Sequence, residues 1–131
     1  MQDKPKAEDL LEAIQDFLMK EILPEIRENE LLAYKTLVSW NMLGVILREI
    51  KSEEETVSAE LERMAPLLGE RIPEGLSFQE KRNLLARLNS DLANRIRNEG
   101  TFDTGGLVWK TVKESVIAKL HIANPRFQIE E

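Results

Sequence analysis

Along residues 31–51, LLAYKTLVSWNMLGVILREIK, the apolar side chains Leu31, Leu32, Leu37, Val38, Trp40, Met42, Leu43, Val45, Ile46, Leu47 and Ile50 point in almost every direction when placed at about 100° per residue. A helix that is apolar on all sides belongs in the middle of a bundle. The pattern therefore predicts a second helix walled in by its neighbours. One polar seam runs along it: Tyr34, Asn41 and Arg48 recur every seven residues, within a sector of roughly 40° on a regular helix.

The flanking segments follow the helical period as well. Pro5 makes residues 1–5 an extended lead-in, after which Leu10, Leu11, Ile14, Phe17, Leu18 and Ile22 form an inner stripe at i, i+3, i+4 and i+7. Pro24 is expected to stop or kink that helix near Leu23. Ser52 and Glu55 have the spacing of a capping box and predict a third helix, with Val57, Leu61, Met64, Ala65 and Leu68 inward. Gly69 is placed to end it in the left-handed conformation, with Pro66 distorting its last turn. A second box, Ser77 with Glu80, opens a fourth helix reaching about Glu99, whose stripe is Phe78, Leu84, Leu85, Leu88, Leu92 and Ile96. The fifth is predicted over 107–123, with Leu107, Val108, Val112, Val116, Ile117 and Leu120 inward and Trp109 at the edge. Asn124-Pro125 stops it, Asn tolerating the left-handed position. The expected fold is all-α, a single domain over 1–131 built as a bundle of about five helices around the buried second one.

Composition narrows the function more than the fold. The net charge of −6 is uneven, since residues 1–60 hold 14 acidic against seven basic side chains. Generic nucleic-acid binding relies on neutralising phosphates with Lys and Arg, so an acidic chain whose helix-four arginines diverge around the wheel argues against it. The absence of cysteine excludes a thiolate nucleophile and a Cys-type zinc site. No signal-like apolar run opens the chain and no stretch approaches the ~20 apolar residues that span a bilayer, which makes the cytoplasm the expected compartment. His121 is the only histidine and no HExxH, GxSxG, GxGxxG or Walker pattern is present. Neither a cofactor, a metal nor catalysis is expected.

Tyr34, Asn41 and Arg48 admit two readings. They can bond neighbouring helices or cross a homodimer interface and so fix register, or they can face a pocket or partner with Asn41 and Arg48 as donors.

A resemblance supplies the rest. The ending KLHIANPRF at 119–127, the opening MQDKP, Leu23-Pro24, the run from Asn41 to Arg48-Glu49, and Leu92, Arg95-Ile96-Arg97, Gly100 and Phe102-Asp103 together resemble a small bacterial family of all-helical proteins carrying a domain of unknown function. The resemblance covers nearly the whole chain. Members are similar to small proteins encoded beside aminoglycoside-phosphotransferase-like kinases and acyl-CoA dehydrogenases, and about 130 residues without a flavin-binding region are too few for the dehydrogenase itself. The resemblance implies a non-catalytic accessory subunit of such a kinase in hydroxyacyl-CoA catabolism, with the dehydrogenase as a further partner. Arg95, Arg97 and Arg126 would then meet acidic groups of the partner or the phosphates of coenzyme A. The plainer roles are an anchor for Arg126 beside the capping Asn124, and ordering of a glycine-rich turn for Asp103. A homo-oligomeric or ligand-binding module and a small stand-alone helical enzyme are the competing readings.

Overall fold

The computed structural model describes residues 3–100 and 105–128. Its helices are α1 (Ala7–Phe17), a three-residue α2 (Leu23–Glu25), α3 (Glu30–Met64), α4 (Phe78–Glu99) and α5 (Leu107–Ala123), and no strand occurs among the described residues. The all-α expectation holds. Four long helices stand where five were expected, because the second and third are one: α3 runs 35 residues without a break. The Ser52 box does not form. Ser52 Oγ instead donates to the Arg48 carbonyl at 2.8 Å, the back-bonding open to a serine inside a helix. With only good helix formers from Arg48 to Glu55 except Ile50 and Ser52, nothing there breaks the hydrogen-bond ladder.

Elsewhere the local signals act as expected. Ser77 and Glu80 close their box reciprocally, Ser77 N–H donating to Glu80 Oε2 at 2.7 Å and Glu80 N–H to Ser77 Oγ at 3.2 Å. These bonds, the backbone one foremost, hold the Glu80 carboxyl below its ordinary value of 4.5. A depressed carboxylate contributes stability that is full above the unfolded value and lost as pH falls through the folded one. Ser77→Ala is expected to cost about 1 kcal/mol, read as a lower urea midpoint at neutral pH. Gly69 and Gly100 terminate their helices with φ of 68° and 59°, and Pro66 tightens the end of α3 into a 3-10 turn over Ala65–Leu68. Pro24 acts one turn earlier than a simple stop. Lacking an N–H, it forces the ladder into a π turn over Leu18–Ile22, in which Leu23 N–H reaches back to the Leu18 carbonyl. Asn124 ends α5 with φ −148°, not in the left-handed region; Pro125 suffices to stop the helix.

The chain groups into two compact units, Met1–Ser52 and Glu53–Glu131. In the second, Leu61, Met64, Ala65, Leu85, Leu88 and Leu92 form the buried core, with Val57, Leu68, Ile72, Leu84, Ile96, Val108 and Val112 packed on it. The stripes expected on the end of α3 and on α4 are the ones buried. On α5 the packed face is turned from the expected one. Thr111 and Ser115 are buried, while Leu107 and Val116 lie exposed. These two small residues take the closest positions, with Val108 and Val112 packed beside them and Leu107 and Val116 left outside.

The first unit holds α1, α2 and residues 30–52 of α3. Gln15 Nε2 donates to the Trp40 carbonyl at 3.2 Å and Lys51 Nζ to Glu12 Oε1 at 2.6 Å, so α1 and this part of α3 run antiparallel. Gly44 permits the approach: a Cβ there would stand 3.1 Å from both Gln15 Nε2 and Arg48 Nη1. Only Gly44 is buried between residues 31 and 51. The expectation of a buried second helix is therefore corrected, because this part of α3 packs one side on α1 and leaves its opposite apolar side exposed. For the same reason Leu10, Ile14 and Phe17 of α1, assigned to an inner stripe, are exposed.

Candidate functional site

Reactive groups concentrate in the second unit, along the facing sides of α3 and α5. Glu60 sits three residues after Val57 and four before Met64, on the core stripe itself, and is only 3% exposed. Burying a carboxylate is costly unless a cation meets it, and Lys119 Nζ lies 3.4 Å from Glu60 Oε1. One turn on, Arg63 Nε lies 3.6 Å from Glu114 Oε2. Neither contact has hydrogen-bond geometry, so Glu60 Oε1, Arg63 Nε and the nearby Ser115 Oγ stay without hydrogen-bond partners. These are ion pairs held by charge and packing. Removing Lys119 would leave the buried Glu60 carboxylate uncompensated, whereas Arg63–Glu114 is a partly exposed pair.

The C-terminal end of α5 builds a concavity with an apolar wall. Asn124 N–H donates to the Leu120 carbonyl at 2.7 Å, and the Asn124 carbonyl accepts from Phe127 N–H at 3.0 Å. This turn carries Pro125 and Phe127 back beside the helix. Together with Lys113, Ile117, Leu120 and His121 they line a groove of about 500 Å³. Its apolar walls and two basic rim residues suit an apolar side chain or chain segment followed by a carboxylate or phosphate.

The residues singled out in the sequence are dispersed. In the first unit Tyr34 is 66% exposed and Asn41 is exposed as well, while Arg48 lies half-buried over Gly44. The seam does exist on the helix, but it is not enclosed. In the second unit Arg95 is structural: Nη1 donates to the Leu67 carbonyl at 2.7 Å and Nε to Glu99 Oε1 at 2.9 Å, pinning the 3-10 turn after α3. Arg97 makes one long contact, 3.5 Å to Asn94 Oδ1. Asn124 shapes the groove through its main chain, and Arg126 is exposed next to it. Asp103 lies outside the described residues. Arg87 was not singled out, yet it makes a two-point surface pair, Nη1 and Nη2 reaching both Glu70 oxygens at 2.9 and 2.7 Å. That pair lowers the Glu70 carboxyl.

Among the described residues no group of three or more His, Cys, Asp or Glu side chains could hold a metal ion, and no helix is long and apolar enough to cross a membrane. The marked feature is instead an excess of uncovered apolar surface: among the described residues fifteen large apolar side chains of α1, α3, α5 and the tail are exposed, against five large ones and Ala65 in the buried core. Isolated exposed apolar residues are ordinary, but contiguous faces of them mark interaction surfaces.

Residues 24–127 match the family described as Domain of unknown function (DUF6285). The match covers most of the chain, and the chain belongs to that family. Neither the curated proteins nor the solved structures compared with it gave a match.

Proposed function

We propose that the protein is a non-catalytic accessory subunit that works by docking on larger proteins, and that its principal partner is an aminoglycoside-phosphotransferase-like kinase acting on hydroxyacyl-CoA thioesters in the cytoplasm. The observation that carries the reading is the imbalance between exposed and buried large apolar side chains. A chain that folds with so much apolar surface uncovered gains stability when a partner removes it from water. The kinase is the partner implied by the family resemblance, and an acyl-CoA dehydrogenase is the further one.

The groove on α5 fits such a contact. Ile117, Leu120 and Phe127 offer an apolar seat, Lys113 and His121 stand at its rim, and Arg126 is exposed beside it. An acidic, apolar-tipped segment of the kinase matches that chemistry. Co-expression with an aminoglycoside-phosphotransferase-like kinase of the same genome is expected to yield a complex surviving size-exclusion chromatography, and the kinase is expected to lose turnover or solubility when prepared alone. Equal kinase activity with and without this chain, together with separate elution, would reject the reading.

A further inference from the structure

A second copy of this chain fits one exposed apolar face, on α3, other than the α5 groove offered to the kinase. On the side of α3 facing away from α1, residues Leu31, Lys35, Val38, Met42, Ile46 and Glu49 fall within a sector of roughly 80°. Tyr34 flanks this stripe on one side, Leu32 and Ile50 on the other. The apolar members are all exposed, and Lys35 and Glu49 make no ion pair among the described residues.

From Lys35 to Glu49 the stripe is evenly spaced about Met42, with opposite charges at its two ends. Val38 and Ile46 stand four residues before and after Met42. Lys35 stands seven before it and Glu49 seven after. Two such helices packed antiparallel about a two-fold axis at Met42 would set Val38 of one copy against Ile46 of the other, and Lys35 against Glu49, twice over. That is the reciprocity an isologous interface requires. A partner of unrelated sequence would have no cause to select it.

Area and stability agree. Taking roughly 200 Å² for a fully exposed large side chain, the seven apolar residues of this face, at 37–66% exposure, offer on the order of 700 Å², beside about 800 Å² per partner in a standard stable interface. The first unit, moreover, has no buried side chain between residues 3 and 52, its one buried residue being Gly44. A helix pair without a core gains one when two copies combine into a four-helix arrangement.

We infer that the chain forms a two-fold homodimer through the outer face of residues 31–50 of α3, packed antiparallel and centred on Met42. Sedimentation equilibrium of the full chain at tens of micromolar tests it, with twice the chain mass expected. Lys35→Glu sets acidic groups against each other and is expected to weaken association at least tenfold, as is Glu49→Lys with basic ones. The double variant, which exchanges the two charges, is expected to recover most of the lost affinity. Met42→Lys is expected to give a monomer with helical circular dichroism retained. A wild-type chain that stays monomeric overturns the inference, and so does a double variant no tighter than the singles. Because the charge exchange lies at the exposed rim, it keeps the test decisive even where Met42→Lys fails to fold.

Discussion

Leu88→Ala is expected to lower the stability of the second unit by about 3 kcal/mol, within the roughly 2–5 kcal/mol found for buried leucine truncations. Leu88 is fully enclosed, facing Leu61, Met64 and Ala65 from one side and Leu85 and Leu92 from its own helix. The loss has two sources. About three carbons of apolar transfer disappear, and a cavity remains because α4, tied to α3 by Lys81 Nζ on Ser58 Oγ and to the turn after α3 by Arg95, cannot slide in to fill it. For a protein whose net stability is on the order of 5–15 kcal/mol, this is a large share. Urea denaturation followed by circular dichroism would show it as an earlier midpoint. A shift equivalent to less than about 1 kcal/mol would mean that Leu88 is not at the centre of this core.

The second expected result bears on the join within α3. Glu53→Pro is expected to cost about 3 kcal/mol or more, because a proline inside a helix removes one hydrogen bond and its ring strikes the carbonyl four residues back. The position discriminates between two structures. If a separate helix were capped by Ser52, residue 53 would be its first turn, where proline is favoured; in an unbroken α3 it is deep in the interior. Glu53→Ala is the control, since it removes the 3.4 Å contact to Arg82, a partly exposed pair worth roughly 0–1 kcal/mol. Thermal melts should separate the two variants clearly. A proline variant melting like the alanine one would place a helix boundary at Ser52.

What was legible in the chain follows from the range of each signal. The Ser77 cap, the glycine ends at 69 and 100 and the limits of α5 are set by residues within a few positions of one another, and they appear where the spacing puts them. The stripe of Leu85, Leu88 and Leu92 was equally plain, because only one side of α4 is apolar. Ser52 misled because its capping geometry competes with a helix that nothing interrupts, and the longer ladder won. Helix α3 misled for another reason. Apolar residues on every side say that all of its surface wants cover, but not that the cover comes from the same chain. On α5 the valines outnumber the hydroxyl residues, so periodicity favoured a face that size and the Glu60 contact overruled. For the candidate sites the lesson is similar: Arg95 stood out by its motif and proved to brace a turn. Gly44 and Glu60 carried readable signals, a glycine inside an apolar helix and an acid on a core stripe, and both mark close contacts between helices.

Glu60 also acts as a bookmark between α3 and α5. Were α5 to slip by one turn, about 5.4 Å, Lys119 would leave and the carboxylate would face hydrocarbon, at a cost of several kcal/mol. Greasy surfaces alone would forgive that slip. A single buried carboxylate makes the misaligned arrangement the wrong page, and so it selects one alignment out of many that would bury almost the same oil.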